Sequence, residues 1–251
     1  WIYDELKERG VRPRFLQGGY GGGAGIEVEL VKLFKQKERW RHLKWENELN
    51  GAAGGELFEF LSEIGWSRIS DGPFSIRNGF HYQHKREEDF WGIGPDTILA
   101  TGANFDQSDV QLYSAFDFDI NDSTVLTYET RFQHTKINNG HDDHMNFIKN
   151  TFPGLPGING DDELDFILRL EHDRRDRPRR PTRGYLGQIS YGYHHGVAGS
   201  NVRYFKYTAN AAWFWPVFSD RRVLAIRFYG EHNSELDGDD VPFFNRARLG
   251  G

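Results

Sequence analysis

From residue 185 the chain reads YLGQISYGYH, with Tyr185, Ile189, Tyr191 and Tyr193 on one set of alternate positions and Gln188, Ser190, Gly192 and His194 on the other. A period of two sends successive side chains to opposite faces of an extended strand. A soluble sandwich could contain one such strand. Here the apolar set is rich in aromatic rings and the pattern recurs along almost the whole chain. That combination points to an all-β fold, an antiparallel transmembrane β-barrel with lipid against one face and water against the other.

Read by period, about eleven strands follow one another. The first covers 12–18, and the second, 24–34, sets Ile26, Val28 and Leu30 against Glu27 and Glu29. In 40–49, Leu43, Trp45 and Leu49 oppose Lys44, Glu46 and Glu48; in 58–66, Phe58, Phe60, Ile64 and Trp66 oppose Glu59 and Glu63. Phe74, Ile76, Phe80 and Tyr82 oppose Ser75, Arg77, His81 and Gln83, and a connection through 90–106 follows. Val110, Leu112, Phe116 and Phe118 oppose Gln111, Asp117 and Asp119; Leu126, Tyr128 and Phe132 oppose Glu129, Arg131 and Gln133. After a polar connection at 136–163, Phe166, Leu168 and Leu170 oppose Asp165, Arg169 and Glu171. Beyond the strand that opens at 185, Phe205, Tyr207, Ala209, Ala211, Trp213 and Trp215 alternate with Lys206, Thr208 and Asn210, and Leu224, Ile226 and Phe228 with Arg227 and Glu231.

A mean hydropathy of -0.69 looks wrong for a membrane protein. Averaging hides a barrel, because only alternate residues of each strand meet lipid. No run of 18 apolar residues exists, so a spanning helix is excluded. With no cysteine there is no disulfide framework and no thiolate metal site. A net charge of -6 gives no nucleic-acid footprint. The chain opens at Trp1 without a charged-then-apolar leader, which leaves a secretory signal either removed or outside this segment.

Connector lengths carry topology. Even-numbered strands end in compact turns at 35–39, 70–73, 121–123 and 216–221, and the longest connections follow odd-numbered strands. Outer-membrane barrels have short periplasmic turns and long external loops. By this parity the chain starts in the periplasm, the eleventh strand exits outward, and 232–251 begins an external loop. An open edge in hydrocarbon leaves backbone groups unpaired at several kcal/mol each, so closure is expected to need further sequence beyond Gly251.

Three segments then resemble one family, the Omp85 superfamily, also called bacterial surface antigen (D15) or BamA/TamA-like barrels. FWGIGP at 90–95, with Trp91, Gly92 and Gly94, is similar to its aromatic-Gly stretch. DRRDRPRRPTRG at 173–184 is similar to its turn, matched at Asp173, Arg174, Asp176, Pro181, Thr182 and Gly184. VPFFNRARLGG at 241–251, with Phe244, Leu249, Gly250 and Gly251, is similar to the approach to its sixth external loop. The resemblance implies a sixteen-strand barrel whose sixth loop lies between strands eleven and twelve, where the parity count had already arrived. It implies a division into 1–11, a periplasmic segment or short helix, and 12–251, a partial barrel. The family's Arg-Gly-aromatic signature should follow Gly251, and neither Arg246 nor Arg248 stands in for it. Periplasmic POTRA repeats would precede the barrel, and 1–10 is too short to be one.

Other constellations read more plainly. His141, Asp142, Asp143 and His144 carry imidazole and carboxylate ligands, but a polar connection without strand or helix would not fix them, and a solvated loop is the better reading. GGYGGGAG at 18–25 lacks the Lys-Ser/Thr ending of a phosphate loop. Gly18, Gly19, Gly21, Gly22 and Gly23 instead suit a weakly paired strand at the closing seam, the lateral gate of the family, or a plain flexible turn. The arginines of 174–180 could bind anionic lipid, though a turn network of Asp and Arg around Pro181 is favoured. Glu129 with Arg131 and Asp165 with Arg169 read as a solvated lumen. Ser190 and His194 share a lumen face without a lipase arrangement, and Trp66, Trp213 and Trp215 suit an interfacial girdle. The expectation is a non-enzymatic outer-membrane barrel of Gram-negative bacteria that inserts or translocates polypeptide, without cofactor. Its partners would be outer-membrane lipid, client polypeptides or accessory assembly proteins; a porin-like or structural barrel is the alternative.

Overall fold

A computed structural model of the chain describes residues 11–17, 24–33, 42–52, 57–94, 102–141, 144–178, 180–217 and 219–247. They form one antiparallel meander. Eleven long strands pair in chain order: β1 Val11–Gln17, β2 Ala24–Leu33, β3 Leu43–Ala52, β4 Leu57–Trp66, β5 Phe74–Phe90, β6 Ala103–Asn121, β7 Thr124–Asn139, β9 Asp161–Asp173, β10 Gly184–Gly196, β11 Arg203–Val217 and β12 Ser219–Glu235. A two-residue strand, β8 Asn146–Phe147, pairs in parallel with the start of β6, and a single helical turn, α1 Ile148–Thr151, follows it. Among the described residues no pairing joins β1 to β12, so the sheet is an open section of barrel wall. No helix among them is long and apolar enough to cross a membrane, which says nothing of strands.

Burial in this sheet is inverted. Asn104, Asp106, Asp109, Gln133, Thr135, Glu163, Asp165 and His194 are buried. Exposed are Leu112, Phe116, Tyr128, Leu168, Tyr191 and Trp213, with Ile189 at 57% and Phe228 at 65%. A soluble chain could not keep so continuous an apolar face in water; in a bilayer that face is the solvated one. In the long strands from β3 to β11 the exposed large apolar side chains fall on the positions that the alternation assigns outward, and a directly opposed pair shares a face. Trp215 and Trp213 stand outward near one end of β11, where an indole has one wet and one apolar side.

The sheet has two unlike ends. At the turn end, β6 and β7 are joined by a two-residue hairpin and β9 and β10 by 174–183. At the loop end the strands run on further than the alternation indicates. β5 reaches Phe90, β6 starts at Ala103 and β7 reaches Asn139, so the ends of the connections expected at 90–106 and 136–163 are strand. The rest of the second connection is not a bare polar loop. It carries β8 and α1, and Ile148, Phe152, Leu155 and Ile158 pack with Phe105 and Ile137. Apolar residues without a regular period belong there to an internal cluster rather than to a lipid face, which is why alternation does not find them.

The expected N-terminal helix at 1–9, the turn at 35–39, the glycine-rich seam from Gly18 to Gly23, Asp142, Asp143, Arg248 and Leu249 to Gly251 lie outside the described residues.

Candidate functional site in the lumen

Register places one polar row around the inner face. Glu63, Gly79, Tyr113, Arg131, Asp165, His194 and Tyr204 stand successively opposite one another from β4 to β11. Gly79 is needed at its place: a Cβ there would lie 2.3 Å from the Tyr113 ring. The ring passes over the glycine and its hydroxyl donates to Glu63 Oε2 at 2.7 Å. Below it, Arg77 donates to both carboxylate oxygens of Asp117 at 2.8 and 3.1 Å.

The row is deepest at β7 to β11. Arg131 Nε donates to Asp165 Oδ2 at 2.9 Å, and His194 Nδ1 lies 2.8 Å from Asp165 Oδ1 and 3.5 Å from Glu163 Oε2. The His194 and Tyr204 rings stack at 4.5 Å, and the Tyr204 hydroxyl donates to Glu163 Oε2 at 3.1 Å. Asp165 is 0% exposed and Glu163 2%. These charges are therefore dry and paired, which corrects the expectation of a solvated lumen. Of the expected pairings, Glu129 with Arg131 is present at 3.8 Å, whereas Asp165 takes Arg131 and His194 in place of Arg169, which lies 4.0 Å from Glu129. Ser190 bonds Thr208 on β11, so it and His194 are separately engaged.

Glu163, Asp165 and His194 form the one group among the described residues whose donor atoms could together hold a metal ion. Arg131 brings a fixed positive charge against that carboxylate pair, so the arrangement is one of ion pairs and hydrogen bonds. His141, from the sequence's other candidate cluster, lies 3.0 Å from Asp106.

The segment after β12 folds back onto this network. Val241, Phe243 and Phe244 are buried, and the Phe243 ring packs edge-on against Phe90 at 5.1 Å, Phe105 at 5.2 Å and Phe244 at 5.4 Å. Its backbone N–H donates to the Pro156 carbonyl at 3.0 Å. Two residues on, Asn245 Nδ2 donates to Glu163 Oε1 at 2.7 Å, while its carbonyl accepts from Asn233 Nδ2 at 2.9 Å and Lys206 Nζ at 3.5 Å. Arg246 holds the segment to its own stem through the Val241 carbonyl at 3.1 Å. A cavity of about 750 Å³ beside it is lined by Trp91, Gly92, Gly94, Phe243 and Arg246.

Two of the three quoted segments thus meet at the loop end, the aromatic-Gly stretch and the stretch containing Phe244. The third closes the turn end. There Asp176 accepts from the Thr182 hydroxyl at 2.6 Å and from the Thr182 and Arg183 amides at 2.9 and 3.1 Å. Asp173 is gripped by Arg175 at 2.9 and 2.7 Å, and the Arg174 N–H donates to the Tyr185 carbonyl. The model of the Omp85 superfamily domain matches residues 74–251, from the first residue of β5 through this turn and the returning segment. The chain belongs to the Omp85 superfamily. Among solved structures it is similar to BamA from Haemophilus ducreyi lacking POTRA domains 1–3, with a TM-score of 0.67 and 11% identity, over 99% of this chain and 51% of that one. The chain spans about half the length of that structure, and the likeness is one of fold. No curated protein sequence matches it. The fold is that of an outer-membrane β-barrel of the Omp85 type, and its lumen-lining residues Arg131, Glu163 and His194 are the ones that alternation alone could not bring together.

Proposed function

We propose that this Omp85-type barrel inserts or translocates polypeptide at the bacterial outer membrane, working by conformational exchange without covalent chemistry. The observation that supports the reading is the returning segment. Phe243, Phe244 and Asn245 occupy the loop end of the lumen with both an apolar and a hydrogen-bonded attachment. A passive pore needs an open, water-filled path there. A docked segment suits a wall whose client must engage the strands themselves, with accessory proteins delivering it. The glycine-rich stretch from Gly18 to Gly23 would be one side of the seam that opens.

The test is reconstitution of the full chain in lipid vesicles, following both ion conductance and the folding rate of an added unfolded barrel protein. Accelerated client folding with low conductance is expected, and Phe243→Ala should raise conductance while slowing client folding. High conductance in the unaltered protein together with no effect on client folding would return the porin-like reading.

A further inference from the structure

On the outer face, three strands carry small side chains at the same height. Gly187 on β10 stands opposite Ala211 on β11 and Phe228 on β12; two residues further on, Ile189 stands opposite Ala209 and Gly230. With Leu170 of β9 these residues line an apolar groove of about 450 Å³. It is bounded on the turn side by Tyr185 opposite Trp213 and on the far side by Tyr191 and Tyr207, whose rings lie 5.3 Å apart. The two aromatic rows are six residues apart, roughly 20 Å along a strand, comparable to one leaflet of a core about 30 Å thick.

The turn that joins β9 to β10 sits directly below. Between residues 173 and 183 the chain has six arginines against two aspartates, a formal charge of +4. Both aspartates are already engaged inside the turn, Asp173 by Arg175 and Asp176 by Thr182 and Arg183. Arg174, Arg177, Arg180 and Arg183 are exposed. The turn network favoured by the sequence therefore holds the Arg175 side chain closely and presents Arg174, Arg177 and Arg180 outward at the membrane surface. Gly184, where β10 starts, is three residues from Gly187, roughly 10 Å along the strand.

We propose that this face binds one anionic phospholipid, its phosphate on the arginine turn and an acyl chain in the groove between the two aromatic rows. Charge selects the headgroup, since a guanidinium makes paired hydrogen bonds to phosphate oxygens, and each basic residue near an anionic surface adds favourably. Shape selects the chain, because the groove is the place on β10 to β12 where Gly and Ala leave room between large rings.

The full chain, stripped of lipid in detergent, is titrated with phosphatidylglycerol, with phosphatidylcholine of identical acyl chains, and with lipopolysaccharide, and native mass spectrometry counts what is retained. Phosphatidylglycerol should be retained at least tenfold over phosphatidylcholine. Substituting Gln at Arg174, Arg177 and Arg180 together should reduce it to the phosphatidylcholine level, and Lys at the same three positions should restore most of it. Gly187→Val with Gly230→Val fills the groove, and an added Cβ meets nothing within 4 Å at either position. This pair should lower retention of both phospholipids while the circular dichroism melt stays at or above that of the parent; Ala209→Leu gives a second filling variant should that melt fall. Equal retention of the two phospholipids, retention unchanged by filling the groove, or preferential retention of lipopolysaccharide would each overturn the assignment.

Discussion

The turn end and the loop end of the sheet are held by different physics. At 173–184 the side-chain hydrogen bonds of Asp173, Arg175, Asp176 and Thr182 join residues fewer than twelve positions apart, and most of the atoms involved are wet. At the loop end, Phe243 packs on Phe90 and Phe105, and Asn245 reaches Glu163 across 82 positions of sequence, in surroundings that exclude water. Local wet contacts fix a register with little energy each. Distant dry ones close a lumen, and breaking them leaves cavities or buried charge. The first kind should fail locally and gently, the second as a unit.

The largest effect is therefore expected at the loop end. Phe243→Ala removes a ring that is 3% exposed and should weaken docking of the returning segment by about 3–5 kcal/mol. The chain has no cysteine, so Val241→Cys supplies a single reporter for a water-soluble maleimide. Its labelling should be slow in an otherwise unaltered chain and faster by orders of magnitude when Phe243→Ala is added. Equal labelling rates would show that the segment is not held by this cluster. Glu163→Gln comes next. It removes the charge that accepts from Asn245 and Tyr204, each charge-assisted bond contributing about 1.5–3 kcal/mol, and the same thiol reporter should register a smaller acceleration.

The contrast between the ends also explains what could be read from residues alone. Outward-facing rings such as Ile189, Tyr191 and Trp213 repeat every second position, so strand existence, antiparallel order and the lipid face were legible. The 173–184 turn was legible because its chemistry is contiguous: Asp176, Thr182 and Gly184 lie within nine residues. The lumen site was not. Arg131, Asp165, His194 and Tyr204 become neighbours only when three pairings have the right register, and two of these cross connections whose length does not determine it. A signal existed in the polar set, where Glu163 and Asp165 sit two apart on one face of β9 and His194 on the lumen face of β10. Counting back from the strand ends Asp173 and Gly184 would have set Gly192 opposite Asp165, two residues short of the observed partner His194. The cluster around Phe105, Ile137 and Ile148 carried the reverse signal, apolar side chains on a face that alternation assigns to water.

At the turn end the effects should be smaller and confined. Gly184 has φ +99°, and a Cβ there would lie 2.0 Å from the Arg174 carbonyl oxygen. Gly184→Ala should therefore open the turn, with a backbone strain of about 1–3 kcal/mol. Trypsin, which does not cut the Arg177–Pro178 and Arg180–Pro181 bonds, would report it as faster cleavage after Arg174 and Arg183, with Val241→Cys labelling unchanged. Combined with Phe243→Ala, the two perturbations should add to within about 0.5 kcal/mol, as expected of sites without shared partners. A larger coupling would mean that the two ends are not separate.

The mildest perturbation is protonation of Asp176. The Thr182 hydroxyl and the Thr182 and Arg183 amides all donate to its carboxylate, holding the carboxyl well below the usual range. A depressed pKa contributes stability that is present above the unfolded value, about 3.9 for Asp, and is lost as pH falls through the lower folded value. The turn should thus be insensitive to pH from neutrality down to about 4 and loosen only below it. The Thr182 and Arg183 amide proton shifts, followed by NMR, should titrate together with a midpoint under that of free aspartate. In Asp176→Asn they should be flat across the range, and trypsin should cut the turn faster than in the parent at neutral pH. A midpoint at or above the free value would mean that the carboxylate is not held by these donors, and the turn end would then owe its shape to the Asp173–Arg175 pair, Pro181 and Gly184.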